Sequence, residues 1–82
     1  MPLKQQVEDR PRPNRTLHDA MVLVLKRYED KSLTPQELSD IIYKENLYLT
    51  KLGTKAEVGQ IYARSAKYPH IFSLRCGRIY LL

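Results

Sequence analysis

From Thr16 onward the chain sets apolar positions three and four residues apart between short polar breaks, a spacing that predicts three helices and then a hairpin. Leu17, Ala20, Met21, Val24, Leu25 and Tyr28 form one apolar stripe behind Thr16, a capping residue with Asp19 three positions on. This first helix is expected to end near Asp30. Lys31-Ser32-Leu33 is too short for a helix and suits a small strand that pairs with a later hairpin. Thr34-Pro35-Gln36-Glu37 joins a capping Thr, a proline at the first helical position and a Glu three residues after the cap, so a second helix starts there. Leu38, Ile41, Ile42 and Leu47 give it a buried face, and Asn46 terminates it. Tyr48 to Gly53 reads as a loop. Thr54-Lys55-Ala56-Glu57 repeats the Thr-x-x-Glu pattern and predicts a third helix reaching Lys67 or Tyr68, stopped by Pro69. Ile71, Phe72 and Leu74, then Ile79 to Leu82, predict two short strands about Cys76-Gly77, with Gly77 accepting positive φ in the turn.

The fold class that follows is α+β, mainly α: a winged helix-turn-helix of three helices and a C-terminal β-hairpin, with a short strand near Ser32. Residues 16–82 make the domain. Residues 1–15 carry Pro2, Pro11 and Pro13 among charged residues with no apolar period, and are expected to form a flexible basic arm.

Eighty-two residues suffice for one modest core and leave no room for a catalytic domain. The formal charge of +5 is unevenly spread. Met1 to Arg15 carries four basic and two acidic residues, Thr16 to Thr50 four and six, and Lys51 to Leu82 six and one. The last third therefore holds a net charge equal to that of the whole chain, on the third helix and the hairpin, while the first two helices are mildly acidic. Cys76 alone cannot form an internal disulfide, and the longest apolar run, Met21 to Leu25, is too short for a signal peptide or a membrane span. These features lead us to expect an intracellular protein, in cytoplasm or nucleoid if bacterial and in the nucleus if eukaryotic, with no membrane partner. Cys76 and His70 are too few ligands for a structural zinc site. No nucleophile has a base at suggestive spacing and no glycine-rich phosphate loop occurs, so the expectation is a protein without catalytic activity or cofactor.

Several stretches taken in order resemble the HARE helix-turn-helix family, the winged-helix module of restriction endonucleases and Asx-like chromatin proteins, related to the N-terminal domain of the bacterial RNA polymerase delta subunit. They are Thr16-Leu17-His18-Asp19-Ala20 with Val24-Leu25, Leu33 to Leu38 with Ile41-Ile42, Glu45-Asn46-Leu47-Tyr48, Gln60-Ile61-Tyr62-Ala63-Arg64, Tyr68-Pro69-His70-Ile71-Phe72 and Gly77-Arg78. The resemblance runs from Thr16 to Leu82. It implies three helices and a hairpin, a DNA-binding role in transcription regulation or restriction, and attachment to a larger nuclease, polymerase or chromatin assembly.

On a wheel of 100° per residue, Val58, Ile61, Tyr62 and Ser65 fall on the core side of the third helix, and Ala56, Gln60, Ala63, Arg64 and Lys67 on the other. The second set combines methyl-sized residues, which permit close approach to a groove floor, with a Gln that can pair to adenine and an Arg that can fork onto guanine or phosphate. Without the charge asymmetry it would read as an ordinary solvated face. Lys55 stands where the helix's first amides favour phosphate. Arg75 and Arg78 flank the hairpin turn, where they either touch a nucleic-acid backbone or simply keep the tip soluble. Arg10, Arg12 and Arg15 either lie along phosphates or belong to a plain linker. The six tyrosines are expected to pack in the core and at helix ends more than to stack on bases. The combined expectation is a monomer or weak dimer that binds double-stranded DNA with the third helix in the major groove and the hairpin and arm on the backbone. The rival is a module that docks to protein through the acidic, partly apolar surface of the first two helices.

Overall fold

Three helices and three strands succeed one another in residues 15–82, the part of the chain described by this computed structural model. They are α1 at Leu17–Leu25, β1 at Ser32–Leu33, α2 at Pro35–Lys44, α3 at Val58–Lys67, β2 at Phe72–Arg75 and β3 at Arg78–Leu81. The strands form one antiparallel sheet in the order β1-β3-β2, with Leu33 opposite Ile79 and Phe72 opposite Leu81. The layout is α+β, mainly α, and of winged-helix type. The arm expected over residues 1–15 lies outside the described residues except for Arg15.

Alternation along the strands decides which side of the sheet meets the helices. Leu33, Phe72 and Ile79 point one way and are buried against Leu17, Met21, Leu25, Leu38, Ile42 and Ile61. Ser73, Arg75, Arg78 and Tyr80 point the other way. β1 is the small strand expected at Lys31-Ser32-Leu33, and the turn at Cys76-Gly77 is where the sequence places it. Both turn residues have positive φ, 50° and 74°, which is the twist a two-residue hairpin needs. Cys76 thus shares the left-handed region with the glycine.

Local chemistry sets the helix ends. The Thr34 hydroxyl accepts from Glu37 N at 3.1 Å while Glu37 Oε1 accepts from Thr34 N at 2.9 Å, closing a reciprocal cap with Pro35 in the first turn. Thr34→Ala is expected to cost about 1 kcal/mol of stability through the lost cap, read as a lowered thermal midpoint. α2 ends as expected at Asn46, whose φ of 55° breaks the helical path while Leu47 N donates back to Ile42 O. Leu47 therefore packs on the core from beyond the helix.

Two helix boundaries differ from the sequence expectation. α1 stops at Leu25, five residues early: Arg27 and Tyr28 donate to carbonyls only three residues back, and Lys31 turns at φ 52°. Asp30 then accepts from the Ser32 amide and hydroxyl, and Arg27 leaves the helix path to make two hydrogen bonds, 2.9 and 2.7 Å, to the Glu45 carboxylate. The Ser32 hydrogen bond holds the Asp30 carboxyl below its ordinary range, as the Arg27 pairing does for Glu45. Tyr28, expected on the apolar stripe, is consequently exposed. The second difference concerns α3, which begins at Val58 instead of at the Thr54 box. Thr54 turns toward Thr50: their hydroxyls lie 2.7 Å apart, Thr54 N donates to Thr50 Oγ1, and Thr50 N donates to Thr54 O. Glu57 takes the capping position, and Gln60 Oε1 accepts from its amide at 3.0 Å.

Candidate nucleic-acid interface

α3 turns Ile61 and Ser65 toward the core, both buried, and the Ser65 hydroxyl is satisfied within the helix by donating to Tyr62 O at 2.8 Å. The opposite side of the helix faces outward. Gln60, Ala63, Ala66 and Lys67 are exposed and Arg64 is half-buried, so this part of the expected face is present. Ala56 is not in it. It precedes the helix and is buried at 1 % exposure, its carbonyl receiving the Ser39 hydroxyl at 2.7 Å. Tyr62, expected in the core, keeps 39 % of its surface, and Val58 is half-buried. The helix is turned relative to the simple wheel because Ala56, outside the helix, supplies part of its anchorage.

The expected cations divide by what already holds them. Lys55 Nζ is hydrogen-bonded and ion-paired to Asp40 Oδ1, and that bond, with a second from Gln36, keeps the Asp40 carboxyl below its ordinary range. Arg78 donates through Nε to Ser32 Oγ and through Nη2 to Ser32 O, both at 3.1 Å, and lies 3.9 Å from Asp30. Ser32 is buried beneath it. Arg15 donates to Leu47 O at 3.3 Å, just beyond the end of α2. Arg12, with Arg10, lies outside the described residues. Arg64 and Lys67 enter no ion pair among the described residues. Lys67 Nζ sits 5.9 Å from the Tyr68 ring centre, within cation–π reach.

At the hairpin, Arg75 and Arg78 stand directly opposite each other, a like-charge pairing that antiparallel strands disfavour. Each is drawn aside by a different anchor: Arg78 by Ser32, and Arg75 by the Tyr80 ring, whose centre is 4.5 Å from the guanidinium carbon. An anion between them would relieve the remaining repulsion. Gln60 accepts from the Glu57 amide through one lone pair of its carbonyl oxygen, which fixes the side chain at the start of α3.

The tyrosines divide as well. Tyr48 and Tyr68 pack on the core, with Tyr68 stacked against His18 at 4.2 Å between ring centres. Tyr28 and Tyr43, at the ends of α1 and α2, and Tyr62 on α3 each keep more than a third of their surface.

The loop expected at Tyr48 to Gly53 is present, but the sequence did not show what it makes: its turn at residues 50–53 and the start of α3 line an open cleft of about 670 Å³, with Tyr48, Leu52, Lys55, Gly59 and Gln60 at its sides. Leu52 is 88 % exposed, the highest value among the large apolar residues described. Its isolation between Lys51 and Gly53 was the available signal. Among the described residues no helix is long and apolar enough to cross a membrane, and no three His, Cys, Asp or Glu side chains group as a metal site. The chain matches no family model, no curated protein and no solved structure.

Proposed function

We propose that this domain binds double-stranded DNA, with α3 in the major groove and the hairpin against the backbone. The observation that carries the proposal is that Arg64 and Lys67, in the basic last third of the chain, lie outside every ion pair of the described residues and share an outward helix face with Gln60 and Ala63. Arg75 and Arg78 add a second positive point one hairpin away. Lys55 contributes less than its position promises, because Asp40 already neutralises it. The reading agrees with the HARE helix-turn-helix resemblance and with the absence of a catalytic constellation in the sequence.

The test is duplex binding as a function of salt. Replacing both Arg64 and Lys67 by Ala is expected to weaken binding and lower the salt slope by close to 2, since each phosphate contact releases about 0.9 of a counterion. Lys26 and Lys44, exposed at the ends of α1 and α2, serve as controls and should change the slope little. Affinity that ignores Arg64, Lys67 and Arg75 in folded protein would remove the proposal. A second reading, docking to a protein partner, is favoured by Leu23, Tyr28 and Tyr43, each 37 to 39 % exposed on the acidic helical half. Binding of that kind has no counterion slope.

A further inference from the structure

We propose that Asp40 restrains the sequence-independent part of duplex binding by keeping Lys55 off phosphate; this rests on the DNA-binding reading of α3 and goes beyond it. Lys55 stands two residues ahead of the capping Glu57 and lines one cleft with Gly59 and Gln60 of the first turn of α3. A free ammonium there would meet a phosphate beside the groove that α3 enters. Its Nζ is instead paired with Asp40 Oδ1.

The pair is built into the way α2 holds the segment before α3. Two consecutive residues of α2 grip two consecutive residues of that segment: Ser39 Oγ donates to Ala56 O at 2.7 Å, and Asp40 accepts from Lys55. Ser39 and Ala56 are both buried, so the backbone that carries Lys55 is fixed beside Asp40. Gln36 Nε2, one turn back on α2, donates to the same Oδ1 at 3.0 Å and orients the carboxylate.

Folding gains little from this arrangement. The Lys55 and Asp40 side chains keep 34 % and 55 % of their surface, and ion pairs so exposed contribute weakly to stability. The effect on a polyanion is larger. A phosphate that approaches Lys55 meets Asp40 as well, so attraction and repulsion come together and the contact adds little to counterion release. Arg64 and Lys67, which enter no ion pair among the described residues, carry no such offset. Phosphate contacts hold no sequence information, so withholding one lowers affinity for every duplex alike and leaves base-edge contacts a larger share of the binding.

The experiment measures binding of the full chain to a random-sequence duplex as salt is varied. Asp40→Ala, at an exposed position of α2 where alanine suits the helix, is expected to bind about fivefold more tightly at about 0.1 M salt and to steepen the salt slope by about 0.9, the value of one added phosphate contact. Asp40→Glu, which keeps the negative charge, should stay close to the parent. In a Lys55→Gln background Asp40→Ala should change neither quantity. Glu29→Gln, which removes an exposed carboxylate from the turn after α1, should leave the parental slope as it is. An Asp40→Ala slope no steeper than the parent's, or a gain that persists without Lys55, overturns the restraint and leaves the role of α3 intact so long as Arg64 and Lys67 still set the parental slope. A parent that binds no duplex, or whose binding ignores Arg64 and Lys67, overturns the DNA-binding reading and the restraint with it.

Discussion

Phe72→Ala and Ile61→Ala are each expected to lower the stability of the domain by about 2 to 5 kcal/mol, the cost of a cavity where a large buried side chain stood. Both side chains are at most 2 % exposed, one on β2 and one on α3, and they belong to the single cluster that joins sheet to helices. Small domains hold about 5 to 15 kcal/mol in all, so either change takes a large share of it. Urea unfolding gives the number. Leu74→Ala serves as the internal control: on the same strand and the same side of the sheet it is 47 % exposed, and its loss should register as only a small fraction of that of Phe72. Near-parental midpoints for Phe72→Ala and Ile61→Ala would mean that the hairpin and α3 do not share a core.

The second large effect is expected from one hydroxyl. Ser39 is 1 % exposed in α2 and donates to the carbonyl of Ala56, itself buried, just before α3. Ser39→Ala leaves that carbonyl without its donor and should cost about 1 to 3 kcal/mol, more than an average hydrogen bond contributes, because the orphaned acceptor stays buried. The loss should be accompanied by faster amide exchange through the first turn of α3, the segment that this bond positions. Ser73→Ala, on the half-exposed outer side of the sheet, gives the comparison value.

Local chemistry was legible in the sequence wherever it had no competitor. The Thr34 box, the Asn46 stop and the turn at Gly77 are each fixed by neighbours a few residues away, and all appear where the pattern puts them; the short strand at Ser32 also appears, though its partner is the distant β3. The Thr54 box failed because Thr50, four residues back, offered the same hydroxyl a partner in a turn. Tyr28 left its stripe because Asp30 and Glu45 drew the chain out of the helix after Leu25. The interface was harder still. Charge counting located the positive third of the chain, but Lys55 is neutralised by Asp40 and Arg78 is held by Ser32, partners 15 and 46 residues away, and no local pattern reports such pairs. Of the cations expected there to meet a nucleic acid, Arg64, Lys67 and Arg75 are what remains once those long-range pairs are known.

The middle strand of the sheet is the last one made. β1 and β2 never touch each other; each is bonded only to β3, which follows both in the chain. A chain made from its N-terminus therefore has α1, α2 and α3 before Leu33 meets Ile79 and Phe72 meets Leu81, the residues opposite them on β3. No strand pair can form before residues 78–81 are made; β2 then finds its partner across a two-residue turn, while β1 finds the same partner across the length of α2 and α3, so the short strand carries the long-range part of the sheet's assembly.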